Sequence, residues 1–384
     1  MTRAVNPVQE PAAVSDAEFA RAFFRRAVTR ERVVAALESL RSKEFGFGPY
    51  SATGLARVAA TGTLGTANVV VADVDQAAYE VTVPAVLDLS IRLGVESTLR
   101  ADAQIDLVLT PRAAAPLLLV IDIAAVRAQD VRITVHGTGL GGVLSGLLGS
   151  LVDELRGQVA RQITAVLDTE RSRRARTFDI RARIDGTRDA PAPDKWDWID
   201  DAEFGRRFGR YAVTEQRVRR AFAGFTGQPV EIGPLGAGPG KAATVRVVGQ
   251  LTEPTVVGAG GSFEITLALQ LDLVVELGRA SRFHADVEVP LVAVPRAGAD
   301  LHIVVDIADV APASVRVTLR SASRIAGLVG RLGGVEAQIR EQVARTVNRR
   351  VATAAGRIVD IGARIDGAGA RKHRPRLTPR PTSA

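Results

Sequence analysis

Four histidines, at positions 136, 284, 302 and 373, are the residues best suited to proton transfer near neutral pH, and no cysteine accompanies them. Without thiols there is no disulfide, no thiolate metal site and no cysteine nucleophile. No His-Glu-x-x-His pair occurs, nor any carboxylate cluster at ligand spacing, so a metal centre is not expected. Gly-x-Ser-x-Gly is absent, which removes the nucleophile elbow of the α/β hydrolases. Gly139-Leu140-Gly141-Gly142 ahead of a helix could cradle a phosphate, but the Lys-Ser/Thr that completes a P-loop is missing. A loose turn into the helix accounts for it.

Asp122 and Asp306 occupy matching places in the two halves of the chain, as do Asp185 and Asp366. An enzyme rarely needs the same acid twice, a domain apart. These carboxylates are expected to face outward and pair with an arginine such as Arg132 or Arg316 across the strands. His284 and His302 fall on the polar face of alternating runs, where a solvated histidine is ordinary. No catalytic residue, cofactor or metal ligand is assigned, and an enzyme is not expected.

The matching places arise because the sequence states one plan twice. Ser15-Asp16-Ala17-Glu18-Phe19 returns as Asp200-Asp201-Ala202-Glu203-Phe204, and Val120-Ile121-Asp122-Ile123-Ala124 as Val304-Val305-Asp306-Ile307-Ala308. Gln158-Val159-Ala160-Arg161 recurs at 342–345, and each copy closes on Ala-Arg-Ile-Asp-Gly. The offset stays near 184 residues, as from Val120 to Val304, which marks a duplicated domain rather than a solenoid. The boundaries read from this pattern are a flexible N-terminus at 1–14, a first repeat at 15–186, a linker at 187–199, a second repeat at 200–367 and a basic tail at 368–384. Trp196 and Trp198, which follow the Pro-containing linker stretch, are expected to pack it onto a domain.

Within each repeat the hydrophobic period identifies the elements. Ser15 with Glu18 forms a capping-box pattern, and Thr29 and Thr214 look like caps of a second short helix. Residues 79–93 and 263–277 then alternate apolar and polar over some fifteen positions, about 50 Å of extended chain. A turn leads to a second alternating run, residues 99–109 or 283–291, and then to shorter strands. Sequential strands of this kind predict an antiparallel meander, and strands this long must coil. A long helix follows, with an apolar stripe through Leu144, Leu151, Leu155, Val159 and Ile163, or Val335, Ile339, Val343, Val347 and Val351. A short strand, 178–184 or 358–365, closes each copy. The Gly-Pro stretch 233–240 and Gly258–Gly261 read as loops. The fold class is α+β: two tandem copies of a long, curled antiparallel sheet wrapped around amphipathic helices.

Composition narrows the partners. Formal charge is +8, but Arg371, Lys372, Arg374, Arg376 and Arg380 supply five charges from the tail alone. The folded part is close to balanced, and no second helix carries a base-reading pattern, so nucleic acid is not expected. The tail predicts attraction to an anionic membrane surface. No run of residues is apolar for the length a bilayer requires.

The order of elements, carried by Tyr79–Leu109, Phe263–Val294 and the helices at 143–171 and 335–355, resembles the tubular lipid-binding superfamily of bactericidal/permeability-increasing protein-like domains. The resemblance implies a bent sheet around a long helix, with lipid tails in the apolar groove between them. It implies binding or transfer of a lipid or other apolar small molecule without catalysis. The groove candidates are Val83, Leu87, Leu89, Ile91 and Leu107, with Leu267, Leu269, Leu271, Leu273 and Val275 in the second copy. The alternative is a structural or assembly scaffold of two similar domains with filled cores. Secreted members carry a signal peptide and often a disulfide. Neither is found here, so a cytoplasmic place, peripheral at the membrane, is expected.

Overall fold

The computed structural model describes residues 10–38, 41, 44–52, 56–93, 95–136, 142–224, 226–237, 243–277, 279–321, 333–352 and 357–365. The chain forms two compact units. One is Ser15–Arg207; the other joins the N-terminal segment up to Val14 with the chain from Phe208 onward. The sequence boundaries put 187–199 between two self-contained repeats, whereas the first unit runs on through this stretch to Arg207.

The first unit opens with α1 (Asp16–Ala27) and α2 (Arg30–Glu38). The capping box is present: the Glu18 amide donates to Ser15 Oγ at 3.2 Å and the Ser15 amide to Glu18 Oε2 at 2.8 Å. These bonds stabilise the ionised carboxylate, backbone amide first and Ser15 hydroxyl second, and hold the Glu18 pKa below its ordinary value. Phe19, Phe23 and Phe24 face inward, and Phe204 packs its ring 5.0 Å from that of Phe24.

An eight-stranded antiparallel sheet follows: β1 (Glu44–Ala52), β2 (Ala56–Leu64), β3 (Asn68–Asp73), β4 (Ala78–Leu93), β5 (Val95–Ala114), β6 (Leu118–Ile123), β7 (Val131–His136) and β8 (Thr177–Asp179). Between β7 and β8 lie α3 (Gly142–Leu167) and α4 (Glu170–Ala175); α5 (Ile180–Asp185) comes after. The central pair, β4 and β5, is longer than any neighbour. β4 therefore takes β3 at one end and β2 at the other, while β5 takes β6 and β7. Helix α3 packs on both β1 and β7, strands from opposite sides of the long pair, so the sheet curls about it.

The second unit repeats this plan. It holds α6 (Asp201–Ala212, shared with the first unit) and α7 (Glu215–Ala223), then β9 (Pro229–Ala237), β10 (Ala243–Leu251), β11 (Thr255–Ala259), β12 (Ser262–Leu277), β13 (Arg279–Gly298), β14 (His302–Ile307), β15 (Arg316–Ser321), α8 (Gly333–Ala352) and β16 (Ile358–Asp360). Its strand order is β9-β10-β12-β13-β14-β16, with β11 on β12 and β15 on β13. Helix α8 packs on β9 and β15, the counterparts of β1 and β7. The α+β class with two similar curled sheets is as the sequence predicts.

Three expectations change. The Gly-Pro stretch is not loop: residues 233–237 belong to β9, and its counterpart Gly48-Pro49 lies within β1. Each Gly-Pro forms a bulge where the register shifts, and Gly48 (φ 94) and Gly233 (φ 109) take a conformation that side chains disfavour. Gly258 likewise lies in a strand, β11. The closing strands span three residues only, after which Asp179 and Asp360 cap a helical turn by accepting from the amides of Ala182 and Ala363. Asp185 is thus helical, and Asp366 lies outside the described residues. Asp122 pairs with Arg112 (3.1 Å) and Asp306 with Arg296 (2.5 Å), because β6 and β14 lie against the ends of β5 and β13. Arg132 and Arg316 instead reach Asp106 and Glu288.

The curled sheet is tightest at one repeated place. Gly62 on β2 lies opposite Leu87, and Gly249 on β10 opposite Leu271. A Cβ on Gly249 would lie 2.2 Å from the Gln270 carbonyl oxygen and 2.6 Å from Leu271 Cδ2. Gly249→Ala should therefore lower stability by about 1–3 kcal/mol in urea denaturation. Gly149→Ala, at an open position on α3, should raise it by roughly 0.5–1 kcal/mol.

Candidate functional site

The alternation of β12 aims Phe263, Ile265, Leu267, Leu269, Leu271, Leu273 and Val275 at one buried face. Helix α8 presents Val335, Ile339, Val343 and Val347 to the interior at helical spacing. Over part of their length these surfaces leave a pocket. Its walls are Phe222 from α7, Val230 from β9, Leu251 from β10, Leu267 and Leu269 from β12, and Val343, Thr346, Val347, Arg350 and Val351 from α8. The non-atom space between these walls is about 440 Å³ when the adjoining open solvent is counted with it.

Two groups break the apolar lining, Thr346 and Arg350, one turn apart on α8. Arg350 Nη2 donates to the Pro229 carbonyl at 3.1 Å, which ties the last turn of α8 to the start of β9. A cation there also suits the carbonyl end of the helix. The pocket is thus an apolar slot with a guanidinium in its wall.

The sequence candidates divide. Leu267 and Leu269 line the pocket. Leu271, Leu273 and Val275 continue on the same face but lie outside it, buried opposite Gly249, Val247 and Val245. In the first unit Val83, Leu87, Leu89, Ile91 and Leu107 are all buried, Leu87 with no exposed surface against Gly62. Arg371, Lys372, Arg374, Arg376 and Arg380 lie outside the described residues.

Phe222, Val230, Leu251, Thr346 and Arg350 were not among the candidates. A signal for the last two exists: at the 184-residue offset Arg350 stands where α3 has Val166, and Thr346 where it has Gln162. The stripe 343, 346/347, 350/351 thus carries a cation in one copy only. Phe222, Val230 and Leu251 gather through pairing and packing of elements remote in sequence, which local periodicity does not report.

Three of the histidines fall among the described residues. His136 Nε2 lies 2.8 Å from Asp102 Oδ2 and His284 Nδ1 2.5 Å from Asp272 Oδ1, both exposed pairs on the outer strand faces. His302 Nδ1 meets the Ala299 carbonyl oxygen at 2.8 Å, and His373 lies outside the described residues. Exposed pairs of this kind contribute little to stability. Among the described residues no helix is long and apolar enough to cross a membrane.

No protein-family model and no curated protein matches the chain. Among solved structures, lipopolysaccharide binding protein is similar at a TM-score of 0.32 and 8% identity, over 92% of this chain and 93% of that one. P47 of Clostridium botulinum E1 gives a TM-score of 0.22 at 8% identity over 87% of each chain. P47 from Clostridium botulinum A2 gives 0.23 at 8% identity over 84% of each.

Two substitutions separate pocket from filled core. Leu271→Trp should overpack the sheet against Gly249 and cost about 1–3 kcal/mol. Val347→Phe directs a ring into the pocket and should change stability by less than about 1 kcal/mol. Urea denaturation of the two variants beside the wild type measures both.

Proposed function

We propose that the chain is a non-enzymatic binding or transfer protein for a lipid or other long apolar molecule, held between the curled sheet and α8 of the second unit. The observation that carries this reading is the pocket itself, walled by aliphatic and aromatic side chains and open to solvent. An acyl chain meets no unpaired polar group along Leu267, Leu269, Val343 and Val347, so its burial is driven by the hydrophobic effect. Arg350 in the wall provides charge for an anionic head. The basic tail residues supply attraction to an anionic membrane surface, from which such a ligand could be exchanged. The chain works from the aqueous side of that surface.

The scaffold reading draws on the closely packed contacts at Gly62–Leu87 and Gly249–Leu271, where the glycine positions have no room for a side chain. The two readings part at the pocket. The wild type should take up a fluorescent fatty acid, and Val347→Phe should lose that uptake while melting near the wild-type temperature. Arg350→Gln should weaken the acid by about tenfold, the scale of one charge-assisted bond, and leave its methyl ester unaffected. A wild-type protein that takes up neither probe leaves the scaffold.

A further inference from the structure

The long strand of each unit ends in a groove already occupied by a short extended segment. In the unit Ser15–Arg207, Trp198 bridges Ala114 at the end of β5. The Ala115 amide donates to the Asp197 carbonyl at 2.7 Å, and the Ile199 amide to the Ala113 carbonyl at 3.2 Å. In the other unit Ala13 bridges Gly298 at the end of β13. There the Ala299 amide donates to the Ala12 carbonyl at 2.8 Å and the Val14 amide to the Ala297 carbonyl at 3.2 Å. Under the repeat these are the same bonds, for 12–14 corresponds to 197–199 and 297–299 to 113–115. Residues 12–14, which composition alone assigns to a loose end, are docked. Each segment lies just ahead of a first helix, yet the one ahead of α1 sits on β13 and the one ahead of α6 sits on β5.

The groove walls share a frame: Arg112, Arg176 and Asp122 in the first unit correspond to Arg296, Arg357 and Asp306 in the second. The contacts they offer differ. In the first unit Arg112 lies 4.1 Å from the Trp198 ring centre and Arg176, only 8% exposed, 4.8 Å from that of Trp196. Trp196 Nε1 donates to Thr177 Oγ1 at 3.3 Å, and both indoles pack on Ala114, Leu118 and Val120. Stacked guanidinium and indole faces attract strongly when water is excluded. Burial pulls the Arg176 pKa below the usual guanidinium value.

In the second unit the guest is acidic. Arg357 Nη2 donates to Glu10 Oε1 at 2.7 Å and Arg296 Nη2 to Glu10 Oε2 at 3.3 Å. Arg296 Nη1 also reaches the Pro11 carbonyl at 3.4 Å, and Pro11 closes tightly over Gly298. Pro11 stands where the other segment has Trp196, and Glu10 where it has Lys195. Placed in this groove, Lys195 would bring a third cation against two arginines, and the charge clash excludes the wrong segment.

We propose that these grooves are two peptide-docking sites of distinct specificity, one for a Trp-x-Trp segment and one for a Glu-Pro segment, which direct the stretches ahead of α6 and α1 each to its own unit. A chain cut within 187–194 is then two fragments that each carry the segment completing the other's groove.

Peptide-resolved hydrogen exchange on the full-length protein reads the grooves separately. Glu10→Lys should raise exchange at 12–14 and 297–299 by about tenfold or more, as loss of a charge-assisted contact implies, and leave 113–115 and 197–199 unchanged. Trp198→Ala should do the reverse. Cleavage of the folded full-length protein at a protease site placed in 187–194 should leave the fragments as a one-to-one complex in native mass spectrometry. The proposal is overturned if Glu10→Lys leaves 12–14 protected, if either substitution loosens both grooves alike, or if the cut fragments separate.

Discussion

Everything in this fold follows from two paired strands that are longer than any strand beside them and apolar on one face. β4 and β5, like β12 and β13, run 16 and 20 residues, and their inward positions are buried along most of that length. No single neighbour can satisfy the outer backbone of such a pair, so each long strand takes different partners at its two ends. The sheet twists as it lengthens. One amphipathic helix, touching strands from both sides of the pair, covers the face that the twist turns inward. The Gly62–Leu87 and Gly249–Leu271 pairs mark where this curl leaves no space for a side chain on the adjoining strand.

Duplication preserved that frame and released the residues at its margins. The helix caps at Thr29 and Thr214 are alike, and Arg32 and Arg217 reach back to carbonyls of the preceding helix in the same way. At the free edges the solution is common but the chemistry is inverted: Arg30 donates to the Val69 carbonyl, while Glu215 accepts from the Gly258 amide. Both occupy an edge strand's backbone and discourage pairing with another chain. Arg350 in place of Val166, and Glu10 in place of Lys195, belong to the same pattern. At these positions the two units differ by charge placed on a shared frame.

Much of the scaffold was legible in sequence because it rests on local period. The alternation of 263–277 and the stripe from Val335 to Val351 each report a face directly. β1 to β3 and β9 to β11 were not legible: their residues alternate weakly, and Gly48-Pro49 and Gly233-Pro234 read as turns although they are bulges within strands. The pocket was half legible. Leu267 and Leu269 follow from the alternation, whereas Phe222, Val230 and Leu251 meet them only through pairing of distant strands and helices. The arginine partners of Asp122 and Asp306 depend on which strand end lies opposite, which no spacing encodes.

The reading of the second unit as a lipid-binding site meets its most direct test in native mass spectrometry of the protein purified without detergent, before and after extraction with organic solvent. A lipid-binding pocket gives a noncovalent adduct with the mass of an anionic amphiphile, present before extraction and restored when a fatty acid is added back. A spectrum of the bare chain alone, unchanged after the fatty acid is added, would contradict that reading.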